Sequence, residues 1–178
     1  MGECSLYYVP ENQGRFVGRE NDVADEFWAL GVFLATEDEA IFERVREYEN
    51  DGKALPECEH DFEFGDMGLT DDEEELPVPQ ELDGLGLTCP HCDADITEQA
   101  YDVYDDIDDN PAPVRPIRCI GCGKNSPFKR LKSKLPFTFS RFFLWVSDTN
   151  PDDDGTGFLP TVEKVLGPCT IYRSIATD

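Results

Sequence analysis

The sequence predicts an α+β fold: two β-α-β halves with a cysteine-bearing segment set between them. Three observations carry that expectation. Strand-like apolar runs alternate with short amphipathic helical patterns towards both ends of the chain. A strongly acidic, proline-containing stretch divides the N-terminal part from the remainder of the chain. Two Cys-x-x-Cys pairs then stand 26 residues apart. At 178 residues the chain fits one domain carrying an insert.

Taken in order, SLYYV near the N-terminus reads as an added edge strand. FWALGVFLAT, 27–36, is a run of apolar residues that reads as a buried strand. Thr36 then stands three residues before Glu39, the spacing of a capping box. The helix EDEAIFERVREYEN would place Ile41, Val45 and Tyr48 on one face and end at Gly52. CEHDFEFG, 58–65, alternates as a second strand does. These elements make an N-terminal half over 1–69. TDDEEELPVPQELDGLG, 70–86, has the charge, prolines and glycines of an exposed linker. The cysteine insert occupies 87–135. The second half, 136–178, repeats the outline: FTFSRFFLWVS as a strand, FLPTVEKVLG as a helix between Pro160 and Gly167, and CTIYRSIA as the last strand. On this reading Trp28 and Trp145 sit on corresponding strands. Two such halves have the outline of a ferredoxin-like sandwich, an antiparallel sheet with both helices on one face.

The insert holds the clearest chemistry. Thiolates bind zinc tetrahedrally, and a Cys-x-x-Cys turn brings two sulfurs to one ion without strain. The first pair is Cys89 and Cys92, with Pro90 inside it. The second is Cys119 and Cys122, with Gly121 inside and Gly123 after. Between them, ITEQAYDVYD and VRPIRC read as two strands joined by a turn at DDNPAP. The motifs CPHC at 89–92 and CIGCGK at 119–124 resemble a zinc ribbon over about 35 residues. That resemblance implies one structural zinc per chain, held by all four cysteines, with His91 pointing outward. A closed set of protein ligands leaves no position for substrate, which marks a structural site. Thiol redox chemistry would need a pair at a strand-to-helix junction, and neither pair reads that way. An iron site is the remaining alternative.

Charge is the main compositional anomaly. The net charge is −24, which on average repels nucleic acid and attracts basic partners. Binding of something positive, solubility and adaptation to high salt all explain such a value. The distribution is uneven: between Pro111 and Ser147 there is no Asp or Glu, and eight cations give +8. The remaining 7 basic and 39 acidic residues leave −32 elsewhere. The basic patch Lys124, Lys129, Arg130, Lys132 and Lys134 is a candidate phosphate-contact surface. Compensation of a four-cysteine zinc site and of neighbouring acids is the simpler reading and is preferred.

Other candidates are weaker. Asn150 to Gly155 matches the first half of a calcium loop, but Thr161 stands where a bidentate Glu is required. Cys4, Cys58 and Cys169 read as buried thiols, and Cys58 with His60 lacks an orienting third group. No phosphate-cradling loop, serine elbow or metalloprotease helix occurs. The run at 27–35 is half of what a bilayer requires, and the N-terminus lacks a secretory signal. Tight cysteine pairs suit a reducing compartment. The expectation is therefore a cytoplasmic, non-enzymatic zinc-binding protein whose acidic surface binds a basic protein partner, as inhibitors and immunity proteins do. The alternative is a nucleic-acid-associated zinc ribbon using the basic segment 115–141.

Overall fold

The computed structural model describes residues 4–34, 41–57, 65–79, 84–105 and 114–175. It is an α+β protein, with helices packed on antiparallel sheets. The main sheet holds four strands: β1 (Cys4–Pro10), β2 (Met67–Val78), β5 (Thr138–Val146) and β6 (Cys169–Ile175). Their order is β2-β5-β1-β6, and every pair is antiparallel. The helices that cover it are α1 (Glu20–Ala29) and α4 (Leu159–Leu166).

Alternation along the central strands builds the core. Leu6 and Tyr8 of β1 lie beside Val146 and Leu144 of β5, which in turn lie beside Met67 and Leu69 of β2. All of them pack with Val23, Ala24 and Phe27 of α1 and with Val162, Val165 and Leu166 of α4. Side chains one residue out of phase point to the other face. There Tyr7, Val9, Phe143 and Val78 form a second buried cluster with Trp145 and Tyr172 against it. Burial of side chains on both faces accounts for the lack of polar alternation in β1 and β5.

The last half has its elements where the sequence places them: β5, then α4, then β6. The first half does not. SLYYV is a central strand, paired to β5 on one side and β6 on the other, rather than an edge. Phe27 and Trp28 belong to α1, not to a strand. The buried residues Val23, Ala24, Phe27 and Trp28 recur at helical spacing, and Gly31 at φ 74° ends the helix. A contiguous apolar run hid that period because the helix ends inside it. Trp28 and Trp145 therefore stand on a helix and a strand. The helix α2 (Ile41–Asn50) forms as expected and stops at Gly52, φ 68°. The capping box of Thr36 and Glu39, and nearly all of CEHDFEFG, lie outside the described residues.

The expected linker is another correction. Thr70 to Val78 lie within β2. Asp71 pairs with Phe142 and Leu76 with Ser140, so four residues, Asp72 to Glu75, face the single Arg141. The acidic run is a wide bulge in an edge strand, where charge and irregularity discourage pairing with other chains. Asp71 fixes its position, accepting hydrogen bonds from Gly18 N at 2.7 Å and Arg19 N at 3.0 Å just before α1.

The insert is a small unit with its own core. Helix α3 (Thr97–Asp105) stands where a strand was expected; Ile96 and Ala100 share a face, and Asp95 accepts the Thr97 N–H at 2.9 Å. VRPIRC does supply a strand, β3 (Pro116–Arg118), paired with β4 (Asn125–Pro127). The expected turn at DDNPAP is outside the described residues. Leu85, Leu87, Ile117, Phe128 and Leu131 join Cys89 and Cys119 in a buried cluster. Phe128, Phe137 and Phe139 stack edgewise, with centroids 5.3–6.2 Å apart, and Phe139 already belongs to β5. This aromatic joint seats the insert on the sheet.

Candidate metal centre

The two cysteine turns have the same backbone. Cys89 N donates to Ala94 O at 2.9 Å, and Asp93 N to Cys89 O at 3.0 Å. Thirty positions on, Cys119 N donates to Lys124 O at 2.9 Å, and Gly123 N to Cys119 O at 2.8 Å. The residue after each second cysteine is left-handed, Asp93 at φ 58° and Gly123 at φ 71°. Backbone amides also point at sulfur: His91 N to Cys89 Sγ at 3.4 Å and Gly121 N to Cys119 Sγ at 3.3 Å. His91 enters the centre through its backbone and leaves its ring exposed.

These turns bring all four sulfurs within 4.8 Å of one another. Across the centre, Cys89 Sγ and Cys122 Sγ are 3.8 Å apart, and Cys92 Sγ and Cys119 Sγ 3.6 Å. An ion held tetrahedrally at ~2.3 Å by sulfur requires edges of ~3.8 Å. The four-sulfur group therefore fits a metal ion of that size. Charge points the same way. The Cys122 N–H beside Cys119 holds that thiol down to about 7. Cys92 has the Ala94 N–H pulling it down, yet the sulfurs around it push its thiol up to about 12. One thiolate forms readily and opposes the next; a bound cation removes that conflict.

The other sequence candidates are dispersed. All five residues of the basic patch are exposed, and Lys132 pairs with Asp93 at 2.6 Å. Arg118, which sequence reasoning did not single out, is exposed too; its signal was the alternation about buried Ile117. Cys4 and Cys169 are free thiols at opposite ends of the β1–β6 pair, opposite Ile175 and Pro10. Burial, with Glu163 and Glu11 nearby, pushes the Cys169 thiol up to about 12, which makes it a poor nucleophile at neutral pH. Cys58 and His60 lie outside the described residues. In the acidic turn, Asn150, Asp153 and Asp154 accept hydrogen bonds from backbone N–H groups two residues on, the geometry of solvated turns. Among the described residues no helix is long and apolar enough to cross a membrane. Comparison with protein-family models, with curated proteins and with solved structures finds no match.

Proposed function

We propose that this protein is a non-enzymatic binding protein of the cytoplasm, a scaffold with a structural zinc ribbon, whose acidic surface engages a basic protein partner. The observation that carries the reading is the placement of the acidic bulge. Glu73, Glu74 and Glu75 are exposed, and Asp71 ties their strand to the start of α1, whose outer face carries exposed Asp22, Asp25 and Glu26. Arg19 at the start of α1 neutralises Asp22 at 3.1 Å, yet the surface stays predominantly acidic, and such a surface steers cationic partners and raises association rates at low salt. Zinc is the favoured ion because four thiolates at tetrahedral spacing suit it and leave no open position for chemistry. Four thiols gathered at one site suit a reducing compartment. The strand order β2-β5-β1-β6, with α1 and α4 on one face, supports the ferredoxin-like reading of the scaffold.

The test begins with elemental analysis, expected to give one zinc per chain. Binding to a cationic probe protein such as cytochrome c is then measured, with and without Glu73→Gln, Glu74→Gln and Glu75→Gln. The triple variant should bind several-fold more weakly and lose part of the salt dependence. Equal binding by both proteins, or none at low salt, refutes the reading. Adaptation to high salt has a different signature: a melting temperature that climbs steeply up to molar salt, well beyond the range over which charges are screened. Nucleic-acid binding draws on the exposed lysines and arginines of the ribbon. It is weakened because Phe128, the aromatic interleaved among them, is wholly buried.

A further inference from the structure

Eight cations lie between residues 111 and 147, and the fold divides them into two groups. Arg115 is buried and donates to Val103 O at 2.6 Å. Arg141 donates to Asp72 O at 3.3 Å. Lys132 is paired with Asp93, while Lys134 lays its methylenes over Gly86 and faces Asp95. Arg118, Lys124, Lys129 and Arg130 remain exposed, and among the described residues no carboxylate lies within ion-pair distance of any of them. In a chain of 39 acids and 15 bases, four such cations are gathered on one small unit.

That unit is the β3–β4 hairpin and the 3-10 turn that leaves it. Ile117, Ser126 and Phe128 are buried in the core of the insert, and Arg118, Lys124, Lys129 and Arg130 are exposed around them. Arg118 stands opposite Asn125, beside Lys124. Ile120, between them at the knuckle tip, is 74% exposed, and Val114, just before β3, is 49% exposed. These are the large hydrophobic side chains left in solvent among the described residues.

We infer that this face docks an acidic segment of a partner protein that also carries an aliphatic side chain. The cations meet carboxylates at the rim, and Ile120 is the apolar contact that becomes dry. Two facts favour a protein over nucleic acid. No aromatic ring on the hairpin is free to stack on a base. A duplex also presents one charge per ~1.7 Å along its whole length to a chain that is strongly negative, whereas a short segment brings only a few charges within the ~8 Å screening distance of the cations. The site is separate from the acidic bulge, so the molecule has two docking surfaces of opposite sign.

A phage-displayed random peptide library panned on the metal-loaded full chain, beside a random double-stranded DNA pool, tests this. An acidic family rich in Leu, Ile or Val should emerge alongside a basic family drawn to the bulge. R118E with K124E, K129E and R130E should abolish the acidic family alone. Ile120→Ser should weaken its selected peptides about tenfold. Lys164→Glu, at an exposed cation of α4, should change nothing. Metal content and melting temperature are checked for each variant; if charge reversal costs the metal, the same four positions as Gln decide. Absence of an acidic family, or its survival in the reversed chain, overturns the proposal. DNA enriched above the peptides, and lost in the same variant, overturns the choice of partner. Absence of the basic family alone bears on the acidic bulge and leaves this site standing.

Discussion

Gly123 and Asp93 occupy equivalent left-handed positions in the two cysteine turns, yet only one of them is glycine. A Cβ at Gly123 would meet nothing within 4 Å, so substitution there tests backbone strain without a clash. Gly123→Val should lower stability by about 1–2 kcal/mol and weaken metal binding in parallel. Gly123→Asn should cost much less, because short polar side chains tolerate this conformation, as Asp93 does. Chelator competition and thermal melting measure both. Cys169 makes the second prediction at this scale. Its thiol is raised to about 12 in the fold, against ~8.5 in an unfolded chain. Between those values the unfolded state sheds a proton that the folded state keeps, so stability falls as pH rises through that window. Cys169→Ser should flatten the alkaline limb of a melting-temperature profile and leave the profile below pH ~8 unchanged. The four clustered cysteines were legible residue by residue, because two short spacings leave few geometries open. Of the solvent-facing cations, Lys124, Lys129 and Arg130 were named in the basic patch, but Arg118 was not, and Lys132 and Lys134, named with them, face Asp93 and Asp95. Charge is visible in a sequence, while commitment of a cation to a distant carbonyl, as with Arg115 and Arg141, is not.

The elements that misled are those whose environment contradicts their composition. Five acids in a row look like a solvated linker, yet Asp71 is in register with Phe142 and the other four are absorbed in one bulge. Edge position is what permits this, since among the described residues no further strand has to accommodate the excess residues. For α1 and α3 the apolar spacing was helical, but flanking hydrophobic or β-prone residues favoured a strand. Tertiary burial of one face decided both. Asp71 ties these outcomes together, since its carboxylate takes up backbone N–H groups at the entry to α1. Asp71→Ala should destabilise the protein by about 1 kcal/mol. Asp71→Asn, which keeps an acceptor, should recover much of that loss. Equal melting temperatures for wild type and Asp71→Ala would show that the bulge and the helix are independent.

At the scale of the molecule, the body and the cysteine-bearing insert have separate hydrophobic clusters joined at Phe128, Phe137 and Phe139. The insert's cluster includes Cys89 and Cys119, so its packing and its four-sulfur group are one structure. The sheet's cluster contains no metal ligand. Stripping the metal should therefore unfold the ribbon and spare the sheet. Amides of Cys89, Asp93, Cys119 and Gly123 should lose hydrogen-exchange protection on chelation. Fluorescence from Trp28 and Trp145, both in the body, should hold its native position. Simultaneous loss of both signals would make the chain a single cooperative unit.

Ligand type and spacing in the sequence determined the four-cysteine centre. The helix α4 and the strands β5 and β6 were equally legible, because local period, proline and glycine all agreed there. Only the tertiary structure decided the first half of the sheet. Whether an apolar run becomes a helix face or a strand depends on what covers it, and whether an acidic run is linker or edge depends on what lies beside it. The division of the cations is of the same kind. Arg115 and Arg118 are three residues apart in a basic stretch, but one is buried under the end of α3 and the other stands in solvent on the hairpin. The exposure of Arg118 follows its alternation with Ile117, but the burial of Arg115 is not written in the local sequence, because it is set by a carbonyl on another element.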